Sequence, residues 1–153
     1  MFEDVRNELN VRIEQWSGVL SDLPRDVSHE RRNSQNRTIK QIVGHLVDSA
    51  VNNHHRIVRL QYTVNLEFPD YRQDNDLWIK IQNYQQENWD QLISFWRSYN
   101  FHLIHVIKHV NRDCLTHTWH DFEGTKETLQ TLIEGYLWHL NLHLKEIEVL
   151  MNK

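Results

Sequence analysis

Four stretches of the chain repeat apolar residues at spacings of three and four, and its four Gly and two Pro barely interrupt them. That period belongs to an α-helix with one face turned to a core, and it leaves little room for a many-stranded sheet. Phe2, Val5, Leu9, Ile13, Trp16 and Leu20 mark a first helix that stops near Ser21, ahead of Pro24. Arg25 to Arg37 is polar and reads as a loop. Thr38-Ile39-Lys40-Gln41 has the pattern of a capping box. It opens a second helix whose stripe runs through Ile42, Val43, Leu46, Ala50 and Ile57 to about Gln61. Val64 to Asn75, with Pro69 and several acids, reads as a connection across the end of a bundle.

Asp76 to Asn83 reads as a short helix, followed by a longer one from about Gln86 to Val110 with Leu92, Trp96, Leu103 and Ile107 on one face. Asn111 to Gly124 is irregular, with a brief extended piece between Cys114 and Trp119. Thr125 is placed to cap a last helix carrying Leu129, Tyr136, Leu140, Leu144 and Met151. The expected architecture is all-α: an up-down four-helix bundle with a short extra helix, forming one domain over residues 1–153.

Composition narrows the function classes. The net charge is −4, with Lys and Arg scattered, so the concentrated basic face that nucleic acid requires is missing. Cys114 is the only cysteine, which rules out an internal disulfide and points to a reducing compartment. No basic-then-apolar leader opens the chain, and no apolar run approaches the ~20 residues of a membrane span. The expectation is a cytoplasmic protein with a small-molecule substrate, no nucleic-acid partner and no membrane partner.

Eleven histidines are the chemical surplus. His139 and His143 lie one turn apart in Trp138-His139-Leu140-Asn141-Leu142-His143-Leu144, so their imidazoles share a face. Stepping about 100° per residue sets His143 inside the apolar stripe and His139 on its flank. Both therefore turn toward the bundle interior. His45 occupies the inner flank of the second helix beside Ser49, Asn52 and Arg56, a polar strip that is costly to bury unless something satisfies it. Three neutral imidazoles with open positions are a common form of catalytic metal site. A histidine packed at the edge of a core is the plainer reading of each one alone.

Other histidines fit less well. His102, His105 and His109 share a face that points away from Leu103 and Ile107, which reads as a solvated polar face. His54 and His55 are adjacent and diverge, and His29, His117 and His120 fall in loops. Leu140 stands where the zinc-protease motif needs Glu, no Glu precedes a histidine by three, and no phosphate loop or nucleophile elbow is present. Asp48 and Glu146 each follow a proposed ligand by three residues and could orient an imidazole or shuttle a proton. Arg56 stands roughly 16 Å along the helix from His45, where it could hold an anionic substrate tail, with Asn52 between them. Tyr62, Tyr71, Trp78 and Trp119 are candidates for a pocket wall, and most of the six Trp are expected in the core.

At these residues the sequence resembles the DinB/YfiT-like superfamily. The resemblance rests on Thr38-Ile39-Lys40-Gln41-Ile42-Val43-Gly44-His45-Leu46-Val47-Asp48-Ser49, continues through Asn52-Asn53-His54-His55-Arg56, and resumes at Gly135-Tyr136-Leu137-Trp138-His139-Leu140-Asn141-Leu142-His143. Phe68-Pro69-Asp70-Tyr71 and Trp78 match one branch. It covers essentially the whole chain in helix order and length. It implies a four-helix bundle holding one divalent ion (Ni, Zn or Fe) on three histidines, at positions matching His45, His139 and His143. It further implies a homodimer, and an S-transferase using a low-molecular-weight thiol cosubstrate such as bacillithiol, or a hydrolase using water. Cys114, in a loop without an activating partner, is not expected to be the nucleophile. The alternatives are a non-catalytic metal or small-ligand binding bundle, or a structural dimer without turnover.

Overall fold

Helices dominate the computed structural model, which describes residues 1–67 and 72–153. Phe68, Pro69, Asp70 and Tyr71, which carry part of the family resemblance, lie outside the described residues. Among the described residues six helices form: α1 Glu3–Ser21, α2 Arg25–His29, α3 Ile39–Leu60, α4 Asn75–Ile81, α5 Trp89–Lys108 and α6 Leu129–Met151. Short strands β1 Asn65–Leu66, β2 Thr118–His120 and β3 Lys126–Thr128 make a small sheet in that order. β1 runs parallel to β2, with Leu66 opposite Trp119, and β2 runs antiparallel to β3.

Around the bundle the long helices follow the ring order α1, α5, α3, α6. α5 packs on both α1 and α3, and α6 on α3 and, less extensively, α1. Successive long helices α1 and α3 are thus diagonal, as are α5 and α6. That order makes α3 and α6 neighbours, and it brings the helix of His45 face to face with the helix of His139 and His143. Leu9, Ile13, Ile42, Ala50, Ile57, Leu92, Trp96, Leu103, Ile107 and Ile147 are fully buried between them. Each large aliphatic side chain removed from water contributes about 1.5–3 kcal/mol.

Local chemistry sets the ends of the elements. At the start of α3 the Gln41 amide donates to Thr38 Oγ1 at 3.2 Å, and the Thr38 amide donates to Gln41 Oε1 at 3.0 Å. Both halves of the expected capping box are present. Thr128 rather than Thr125 caps α6, accepting from the Thr131 amide at 3.1 Å. The intervening residues belong to β3, whose ladder with β2 holds the chain extended until Thr128. The polar stretch after Pro24 contains the one-turn helix α2, and α5 begins at its Asn88 cap, later than Gln86. Tyr84–Gln86 forms a 3-10 turn between α4 and α5.

Gly44 is required by a close approach. A Cβ there would lie 2.3 Å from the Tyr84 ring. With only hydrogen at that position, the ring packs directly against α3 one residue before His45. Among the described residues no helix is long and apolar enough to cross a membrane.

Candidate metal centre

His45 on α3 meets His139 and His143 on α6. One ring nitrogen from each lies within 4.8 Å of the other two, the one such imidazole group among the described residues. His139 Nε2 and His143 Nε2 are 3.1 Å apart. Ligands about 2.0–2.1 Å from one ion stand roughly 3 Å apart, so small side-chain adjustments are enough to close the triad.

The surroundings hold these rings and bury two of them almost completely. His45 and His143 are each 6% exposed. Burial and the neighbouring imidazoles lower the His45 pKa to about 3, and burial with His143 lowers that of His139 to about 4. Both rings are neutral at physiological pH, which is the ligating state. His45 Nδ1 is buried without a hydrogen-bond partner. An orphaned nitrogen beside two converging imidazoles costs free energy, so the donor set fits a divalent ion better than it fits a packed core.

Glu146 meets the ring behind the site. His143 Nδ1 donates to Glu146 Oε2 at 2.9 Å, which leaves the lone pair on Nε2. Ser49 Oγ lies 3.3 Å from His139 Nδ1. For His139 to offer its Nε2 lone pair, Nδ1 must carry the proton, and Ser49 Oγ is there to accept that N–H's hydrogen bond. Asp48, the other carboxylate singled out in the sequence, is placed differently. It is 4% exposed, and it accepts from Tyr84 Oη at 2.8 Å and from Gln82 Nε2 at 2.9 Å. Its pKa is raised by burial against those two hydrogen bonds. Asp48 braces the 82–84 segment on the outer side of α3 and makes no bond to an imidazole among the described residues.

In front of the triad a cavity of about 460 Å³ opens between α3, α6 and the loops. His45 and His139 form its inner end, and Ser49, Asn52, Asn53 and Arg56 continue along α3. Asn52 is tied into an amide relay: its Nδ2 donates to Gln73 Oε1 at 2.8 Å, and Gln73 Nε2 donates to Asn75 Oδ1 at 2.9 Å. The Arg56 guanidinium lies 4.0 Å from the Trp119 ring centroid, and that of Arg72 lies 5.0 Å from the Phe122 centroid. Both arginines line the cavity, each stacked on an aromatic face that limits its motion.

Four lining residues have no helical periodicity or motif to reveal them: Arg72, Gln73, Phe122 and Glu127. They come from loops and β3. The aromatic wall is Phe122, Tyr136 and Trp138, with Trp138 67% exposed. The expected Tyr62 and Trp78 do not line the cavity, Trp119 lies buried at 7% exposure beneath Arg56, and Tyr71 is outside the described residues. Cys114 is also buried, its thiol donating to the Gln61 carbonyl at 3.3 Å.

Comparison with known proteins agrees with the fold. The chain is similar in structure to YfiT from Bacillus subtilis, described as a probable metal-dependent hydrolase with an unusual four-helix bundle topology. The match has a TM-score of 0.80 at 15% identity, over 97% of this chain and 83% of that one. No curated protein matches by sequence. The family model of the DinB superfamily matches residues 8–147, nearly the full length, and the chain belongs to that superfamily.

Proposed function

We propose that this chain is a metal-dependent enzyme acting on a small anionic substrate, with either water or a thiol cosubstrate as nucleophile. One observation carries the reading: two rings of the converged triad, His45 and His139, line an open cavity that two stacked arginines also line. A structural centre would be closed on all sides, whereas a catalytic one keeps open positions facing a substrate. YfiT's description as a probable metal-dependent hydrolase supports the same class.

His45, His139 and His143 would hold the ion, which supplies Lewis acidity toward water or a thiol. The remaining work falls to the protein. Glu146 fixes the His143 tautomer, and Ser49 accepts a hydrogen bond from the N–H that His139 must carry at Nδ1. Arg56 and Arg72 pair with a carboxylate or phosphate on the substrate, and Asn52 offers its amide along the way. Trp138 and Phe122 cover its apolar part. Glu127, the only carboxylate lining the cavity among the described residues, is placed to take or return a proton.

The test begins with metal analysis of protein purified without a histidine tag. Stoichiometric metal in the wild type that disappears in His45→Ala and His139→Ala supports the centre; unchanged content in both variants overturns it. Anionic esters and electrophiles are then tested with and without an added thiol. Turnover in water alone assigns hydrolysis, and turnover only with thiol assigns transfer. Binding without turnover in either condition would replace the enzyme with the non-catalytic binding bundle.

A further inference from the structure

A second imidazole pair lies on the exposed face of α5, away from the interior centre. His105 and His109 are one turn apart, both exposed, with ring centroids separated by 4.4 Å. His109 Nδ1 lies 2.9 Å from the His105 carbonyl oxygen. A carbonyl only accepts, so Nδ1 carries the proton and Nε2 carries the lone pair. This backbone hydrogen bond fixes the tautomer of a ligating imidazole, the task that Glu146 performs for His143. His109 also caps α5, where the last carbonyls concentrate partial negative charge that favours a cation. Lys108, the adjacent cation, projects about 100° around the helix.

We infer that His105 and His109 form a second metal site, for a borderline divalent transition ion such as Cu²⁺, Ni²⁺ or Zn²⁺, with water completing the coordination. Imidazole suits these ions, whereas Mg²⁺ and Ca²⁺ need oxygen ligands that the pair does not offer. His102 and His54 extend the row, with centroid separations of 6.3 Å from His105 to His102 and 5.2 Å from His102 to His54. Neither joins His105 and His109 in a three-ligand group among the described residues. With two protein ligands in open water, the site binds more weakly than a buried triad and exchanges its ion readily. Cu²⁺ is held more tightly than Ni²⁺ or Zn²⁺.

The inference is independent of the interior centre and is tested separately from it. Untagged protein is stripped with a chelator and titrated with Cu²⁺ by calorimetry, beside the double variants His105→Gln/His109→Gln and His45→Gln/His139→Gln. Two classes of site are expected in the wild type. The surface double variant should weaken the looser class at least tenfold and keep the tighter one; the interior double variant should do the reverse. Both surface positions are exposed, so that variant should match the wild type in circular dichroism and melting temperature. A surface double variant that retains both classes overturns the inference, as does a folded interior double variant that binds no copper. A wild type with a single class that disappears in the surface variant upholds the inference and removes the interior centre instead.

Discussion

The two ends of the histidine inventory differ by packing, not by spacing. His139 and His143 on α6 and His105 and His109 on α5 share the same one-turn separation, and their ring centroids are 4.4 Å apart in both pairs. On α6 the pair faces α3, which contributes His45 and buries His143. On α5 it faces solvent, and among the described residues nothing supplies a third ligand. An i,i+4 pair therefore makes a chelate anywhere on a helix, but only a neighbouring helix makes it a dehydrated, three-ligand centre. The burial shows in the pKa values: burial first, and then the neighbouring imidazoles, lower His45 to about 3 and His139 to about 4.

The widest difference should appear in metal affinity. His143→Ala removes the ligand nearest both partners, and we expect at least a hundredfold loss of affinity by competition with a chelating dye. Loss of the same size in His109→Ala, read at the tight site, would erase the distinction between the two regions. Glu146→Gln keeps the shape of the support but weakens its acceptor. Removing such outer partners typically costs about 10–100-fold in affinity. An unchanged affinity would mean that the 2.9 Å bond to His143 does not orient the ring.

Acid should separate the regions next. The lowered pKa values of His45 and His139 mean that the unfolded chain binds protons between about pH 6.5 and 4 while the folded apo protein does not. Stability is then full above about 6.5 and falls as the pH drops toward the folded values, by a total on the order of a few kcal/mol. Melting curves of apo protein should show that slope, and His45→Leu should flatten it. The surface double variant at His105 and His109 should leave it as it is.

The bracing of α3 gives a smaller effect. Gly44→Ala pushes a methyl group into the Tyr84 ring and should cost about 1–3 kcal/mol by overpacking, measured by urea denaturation. Smallest of all, His105→Gln/His109→Gln should move stability by less than about 0.5 kcal/mol, as exposed substitutions do.

Much of this was legible in the sequence because a helix advertises its own faces. The stripe on α3, the Thr38–Gln41 capping box and the inward turn of His45, His139 and His143 all follow from residues within one helix. Illegible features depended on a second segment. Asp48 projects away from the apolar stripe, yet it is buried because Gln82 and Tyr84 fold over it. Thr125 looked like a cap until pairing with β2 held the chain extended to Thr128. Arg72, Phe122 and Glu127 reach the cavity from loops and an edge strand, where spacing carries no information. Trp138 has the look of a core residue but stands at the cavity mouth, since α6 has the triad on one flank and solvent on the other.

His45 comes before the midpoint of the chain, and its two partners lie on its final helix. Such a centre cannot exist in a partly ordered chain; α3 must be docked on α6 before the three nitrogens meet. Contacts this distant in sequence are late and entropically expensive to form. An ion captured there acts as a removable crosslink, and its binding energy adds directly to the folding energy. On the proposed reading, the supply of metal in the surroundings would set how long the bundle stays closed, and the same ion would serve the cavity in front of it.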